Sequence, residues 1–110
     1  MKHALFLILD HGELVDSIFK DLSDKKFNAT VLEARSIKHL LEDEESDDIH
    51  FLNIGHLERK NFPNSTFCYF IVDEKKLDTL KKTILKSTDH FKKIKGGMFS
   101  VKLEDFVGSI

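Results

Sequence analysis

The chain has little that would brace it covalently or punctuate its backbone. Of 110 residues, one is cysteine, one is proline, five are glycine, one is tyrosine and none is tryptophan. A lone Cys68 excludes an internal disulfide and fits a reducing compartment. The single proline leaves no polyproline or low-complexity linker. No apolar run reaches the length that crosses a bilayer, and "ALFLIL" (4–9) stops at Asp10. "MKHALFLILD" also lacks the small-residue cleavage site of a secretory leader. An excess of one charge is missing too. Seventeen Lys and Arg against nineteen Asp and Glu give a formal charge of −2. That balance argues against non-specific attraction to nucleic acid or to an anionic membrane. The expectation is a cytoplasmic protein with no nucleic-acid partner and no membrane insertion.

What is present is phenylalanine, at ten copies, within a composition that is 41 % apolar and 33 % charged. Those proportions are ordinary for a globular chain, and the length suits one domain, 1–110, with a core filled largely by phenyl rings. "ALFLIL" is apolar at every position, as a central strand covered on both faces would be. "DHGE" (10–13) sets an aspartate three residues before a glutamate, a capping-box start. Leu14, Val15, Ile18, Phe19 and Leu22 follow at helical spacing, to about Lys25.

"NATVLEAR" (28–35) reads as a strand with one face partly solvated, and "TFCYFIV" (66–72) as a second strongly apolar strand. Asp73 is placed to cap the next helix, whose Leu77, Leu80, Ile84 and Leu85 face inward. "KGG" (95–97) reads as a turn. "MFSVKLEDF" then sets Phe99, Val101 and Leu103 against Ser100 and Lys102, a half-exposed strand.

The order β-α-β-β-α-β predicts an α+β fold, a ferredoxin-like sandwich of four antiparallel strands with both helices on one face. The first and third strands are the most apolar and take the central places. The second and fourth alternate and take the edges. One sheet face is then left without helices although the central strands offer apolar residues to both sides. Burial of that face by other copies of the chain is the expectation.

Between strands two and three lies a long irregular loop. "IKHLLE" holds one or two helical turns, "DIHFLNI" a short strand and "ERKNFPNST" a turn. At its heart Glu42, Asp43, Glu44, Glu45, Asp47 and Asp48 crowd into seven positions. The run has no glycine and lacks the ligand spacing of a calcium loop, so it reads as a solvated, self-repelling tip.

"FNATVLEARSI", "TFCYFIVDEKKLDTLKKTI" and "KGGMFSVKLEDFVGSI", in that order, resemble the PII-like signalling proteins. The resemblance implies a homotrimer with a ligand cleft at each subunit interface. It also implies a small anionic metabolite there, such as an adenine nucleotide, and a T-loop, residues 36–64, that changes shape to engage a protein partner. Carried over by position, Arg35, Ser36 and Lys38 stand at the loop base, and Lys93, Lys95, Gly96 and Gly97 in the phosphate-contacting turn. The chain departs from the family where a glycine-rich loop base becomes "EARSI" and a Gly-Asp-Gly-type turn becomes "KGG". The loop has no tyrosine for uridylylation. A divergent member is expected rather than a sensor of ATP and 2-oxoglutarate.

The residues admit this chemistry without compelling it. In "KKIKGG" glycines expose backbone N–H groups and lysines supply charge, while Arg35 with Lys38 and His39 forms a second cationic corner. Both are equally the makings of a solvated surface. His3, His11, His39, His50, His56 and His90 form neither an H-x-x-x-H pair nor a cluster with cysteine, so no metal is expected. Cys68 lies in an apolar strand, and no serine stands in a nucleophile elbow. No enzyme and no cofactor are expected. Two other readings stay open: a trimeric metal-binding protein of the divalent-cation-tolerance type, and an interaction module with no small ligand.

Overall fold

In the computed structural model of the chain, the apolar run near the N-terminus becomes β1 (Lys2–Leu9), the strand around which the others assemble. The structure describes residues 1–10, 12–35, 37, 41 and 65–109. After β1 come α1 (Leu14–Asp24), β2 (Thr30–Ala34), β3 (Ser65–Asp73), α2 (Glu74–Thr88) and β4 (Gly96–Lys102). All pairings are antiparallel, and the strand order is β2-β3-β1-β4. The two most apolar strands are central and the two alternating ones are edges, as the sequence predicts. The loop between β2 and β3, with the turns and strand expected within it, lies outside the described residues apart from Ile37 and Leu41.

Alternation along the strands divides the sheet into two faces. Leu5, Leu7 and Leu9 of β1 and Cys68, Phe70 and Val72 of β3 point to one side. There they pack with Ile18 and Leu22 of α1 and Leu80 and Ile84 of α2. Each large side chain buried in this layer contributes roughly 1.5–3 kcal/mol of hydrophobic stabilisation. Thr88 is the one buried polar side chain among the described residues. Leu77 only flanks the core, and Leu85 is half-buried, less inward than its spacing suggests.

The helix starts differ from expectation. Helix α1 begins at Leu14 behind Glu13, whose backbone is already helical (φ −69°, ψ −18°), and no side chain caps it. The capping box needs Asp10 at the N-cap with Glu13 inside the first turn, and the helix instead begins one turn later with Glu13 itself at the N-cap, so the box does not form. Asp73 stands at the N-cap of α2 with extended backbone but also makes no capping bond. Its carboxylate is drawn to Lys2 Nζ, 3.1 Å away.

The third difference is at the glycines. Gly96 and Gly97 belong to β4, opposite Leu9 and Ile8, and the turn lies earlier. Gly96 adopts φ 156°, and a Cβ there would collide with the carbonyl oxygen of Ile8. A Cβ at Gly97 would meet nothing within 4 Å. Close approach of two strands explains the first glycine; packing leaves the second unexplained.

On the other sheet face, among the described residues, neither α1 nor α2 packs. Phe6 is surrounded there by Phe67, Tyr69 and Phe99, at centroid distances of 5.8, 6.3 and 4.8 Å. Ile8, Leu32 and Val101 share this face and are exposed, as is Phe99 at 52 %. The apolar set of β4 therefore faces away from the helices, while Met98 and Ser100 face toward them.

Candidate functional site

Of the residues singled out in the sequence, Arg35, Lys95, Gly96 and Gly97 lie at one end of the sheet. Strand β1 ends at Leu9, paired with Thr66 near the start of β3 and with Gly96 at the start of β4. Strand β2 ends at Ala34, paired with Ser65. Arg35, half-buried, follows β2 directly, and Lys95 immediately precedes β4. The two therefore share an end of the sheet and stand at its opposite edges. With β3 and β1 between the edge strands, three interstrand steps of about 4.8 Å separate them by roughly 14 Å. Ser36 and Lys38 lie outside the described residues.

Lys93 and Lys95 do come together. They line a cleft of about 310 Å³ with Asp10 and Glu13, and with Gly12 and Ile94 between them. The Asp10 backbone N–H donates to the Lys95 carbonyl at 2.8 Å, which ties the exit of β1 to the entry of β4. Sequence reasoning gave Asp10 and Glu13 a capping role and so missed them as site residues. The signal available was their position directly after a central strand, where side chains at a sheet end converge. Two ammonium groups against two carboxylates make a mixed-charge cleft, which suits a ligand carrying both an anionic group and hydrogen-bond donors.

The approach to this cleft is unusual. Asp89, His90 and Phe91 all take left-handed backbone, at φ 53°, 57° and 59°. For L-residues each such position costs roughly 1–2 kcal/mol. Local bonds offset this: His90 N–H donates to Leu85 O at 2.8 Å and Lys92 N–H to Asp89 O at 3.1 Å.

Other features carry less. A cavity of about 620 Å³ is the outer groove between α1 and α2. It is a polar seam in which Ser87 Oγ donates to Asp21 Oδ2 at 2.7 Å. A smaller crevice of about 220 Å³ lies between α1 and β2, lined by Phe19, Phe27, Val31 and Phe70 among others. Cys68 is fully buried, its Sγ 3.7 Å from Leu7 O, and burial pushes its thiol pKa up to about 11. His3 Nε2 is buried 3.9 Å from Glu74 Oε1. Among the described residues no three His, Cys, Asp or Glu side chains form a metal-binding group, and His11, His39, His50 and His56 lie outside them. Among the described residues no helix is long and apolar enough to cross a membrane.

No family model matches the chain, and no curated protein does. Solved structures do. The crystal structure of Arabidopsis thaliana PII bound to citrate superposes with a TM-score of 0.60 at 11 % identity, over 93 % of this chain and 77 % of that one. A functionally unknown protein from Pediococcus pentosaceus superposes with a TM-score of 0.58 at 12 % identity, over 99 % of both chains. At such identities the likeness is one of fold, and the fold is PII-like.

Proposed function

We propose that this chain is a non-enzymatic, PII-like regulatory protein of the cytoplasm that assembles as a homotrimer through the sheet face opposite α1 and α2. A small anionic metabolite binds where the sheet end of one copy meets its neighbour. Arg35, with Ser36 and Lys38 beside it, comes from one copy. Lys93 and Lys95, with Gly96 and Gly97 behind them, come from the next. Residues 36–64 carry the bound state to a protein partner.

The observation that carries this reading is the placement of Arg35 and Lys95 at opposite edges of one sheet end. A ring of copies set edge to edge brings the two together, which one copy alone does not. The exposed cluster around Phe6 supports association, because an apolar face of this kind is unusual on a monomer. An adenine nucleotide fits the mixed cleft, with phosphates toward the lysines and the exocyclic amine toward Asp10 or Glu13. The citrate in the Arabidopsis PII structure shows that a protein of this fold takes a small polyanion. A nucleic-acid strand would also stack on Phe6, Phe67 and Tyr69. Within the four strands, however, Lys2 is the only cation on that face, and it is paired with Asp73.

The test is a thermal-shift screen with ATP, ADP, AMP, cyclic mono- and dinucleotides, citrate and divalent metals. A ligand at about a hundred times its dissociation constant adds about 2.7 kcal/mol, a shift of several degrees for a domain of this size. The reading requires a nucleotide or citrate hit that is lost in both Arg35→Ala and Lys95→Ala. A metal hit alone replaces it with the metal-binding protein, and a flat screen on a folded oligomer replaces it with an interaction module.

A further inference from the structure

The segment joining α2 to β4 holds a conformation that its residues disfavour. A helix commonly ends with one left-handed residue, usually glycine. Here three follow one another, none is glycine, and Phe91 is of a type that rarely enters that region. Such a conformation persists only where its surroundings over-determine it.

The bonds that determine it converge on Thr88, whose side chain is fully buried at the end of α2. Its Oγ1 donates to Ile84 O at 2.8 Å and accepts from the Phe91 N–H at 3.1 Å. Its carbonyl accepts from the Lys93 N–H at 3.3 Å. Beyond the turn, Ile94 returns to the core and is only 6 % exposed. Lys93 and Lys95 therefore leave the chain on either side of a buried anchor, and both line the cleft with Asp10 and Glu13.

We infer that Thr88 is a positioning residue for the anion site. Through the Phe91 and Lys93 amides it fixes the left-handed turn, and the turn sets where the two ammonium groups stand. This rests on the reading of that cleft as the ligand site. It adds a buried residue, remote from any ligand, on which affinity depends. A threonine is suited to the role because one hydroxyl both donates and accepts. Valine keeps its shape and leaves the Phe91 N–H without a partner.

The experiment uses ATP as the probe, or citrate where the wild type does not bind ATP, with the full chain titrated calorimetrically well below the unfolding temperature and circular dichroism confirming the fold. Thr88→Ser keeps the wild-type dissociation constant within about twofold, and Thr88→Val weakens it about tenfold, the scale of one lost buried hydrogen bond. Amide exchange at Phe91 and Lys93 rises by about the same factor in Thr88→Val while amides around Ile84 stay protected. Should Thr88→Val fail to fold, His90→Val opposes the turn from its exposed side, leaves the core intact and weakens binding likewise. Unchanged affinity in a folded Thr88→Val or His90→Val protein overturns the inference, provided Lys93→Ala and Lys95→Ala do weaken binding. If those lysine variants bind the probe as the wild type does, or the wild type binds neither ATP nor citrate, the site reading itself fails and takes the inference with it.

Discussion

Phe6 and Phe99 stack across the β1–β4 pair, ring centroids 4.8 Å apart and planes 20° from parallel, on the side of the sheet opposite α1 and α2. Half of the Phe99 surface remains open to solvent. A stacked pair left half wet fits an interior layer waiting for its other half. Phe99→Glu is therefore expected to shift the protein from oligomer to monomer in sedimentation velocity, with far-UV circular dichroism unchanged. An oligomer of unaltered mass would remove this face from the interface.

The two glycines at the head of β4 make opposite expectations. Gly96→Ala drives a Cβ into the Ile8 carbonyl and must pull β4 off β1, a loss of at least about 2 kcal/mol in urea unfolding. Gly97→Ala, which meets nothing, changes stability by no more than about 0.5 kcal/mol. Equal effects at the two positions would show that the strand pairing here is looser than described.

Asp73 gives a pH dependence whose sign is fixed. The hydrogen bond from Lys2, and then its charge, hold the Asp73 carboxyl below the usual carboxylate range. A depressed folded-state pKa adds stability that is full above the unfolded value and disappears as pH falls through the folded one. Asp73→Asn is expected to lower the urea midpoint at neutral pH slightly, because both partners are exposed and screened. The difference from wild type should close on acidification below the carboxylate range. A gap that persists there would mean that the carboxylate's charge is not its source.

Cys68 is expected to be inert. Burial raises its thiol pKa to about 11, and its neighbours in the core are apolar. Iodoacetamide at neutral pH should leave the folded protein unlabelled and modify it fully in urea, read by mass spectrometry. Rapid labelling without urea would show that the helices lift from the sheet.

Much of this fold is legible in the residues because hydrophobic period is a direct record of burial. "ALFLIL" and "TFCYFIV" declare themselves central, and Ile18, Leu22, Leu80 and Ile84 declare two inward helix faces. The helix caps were misread because a capping box is a pattern of residue types, while capping depends on where the helix begins, here with Glu13 and not Asp10 at the N-cap, and on competition that Lys2 wins for Asp73. The turn was misread for a related reason. Glycines mark where the backbone needs freedom, and here the need is close strand approach at Gly96, while the reversal is made by Asp89, His90 and Phe91 against their preference. The partners of Lys93 and Lys95 were not legible, since Asp10 and Glu13 lie about eighty residues earlier and meet them only through sheet pairing.

The separation of Arg35 and Lys95 has a consequence for mixtures. If each cleft takes its arginine from one copy and its lysines from the next, a defect in either is borne by different members of the ring. Arg35→Ala and Lys95→Ala homo-oligomers would each be dead for binding. Unfolded together and refolded as hybrids, they would recover some clefts in which both contributions are intact. Complementation of two inactive proteins would then count the chains that build one site.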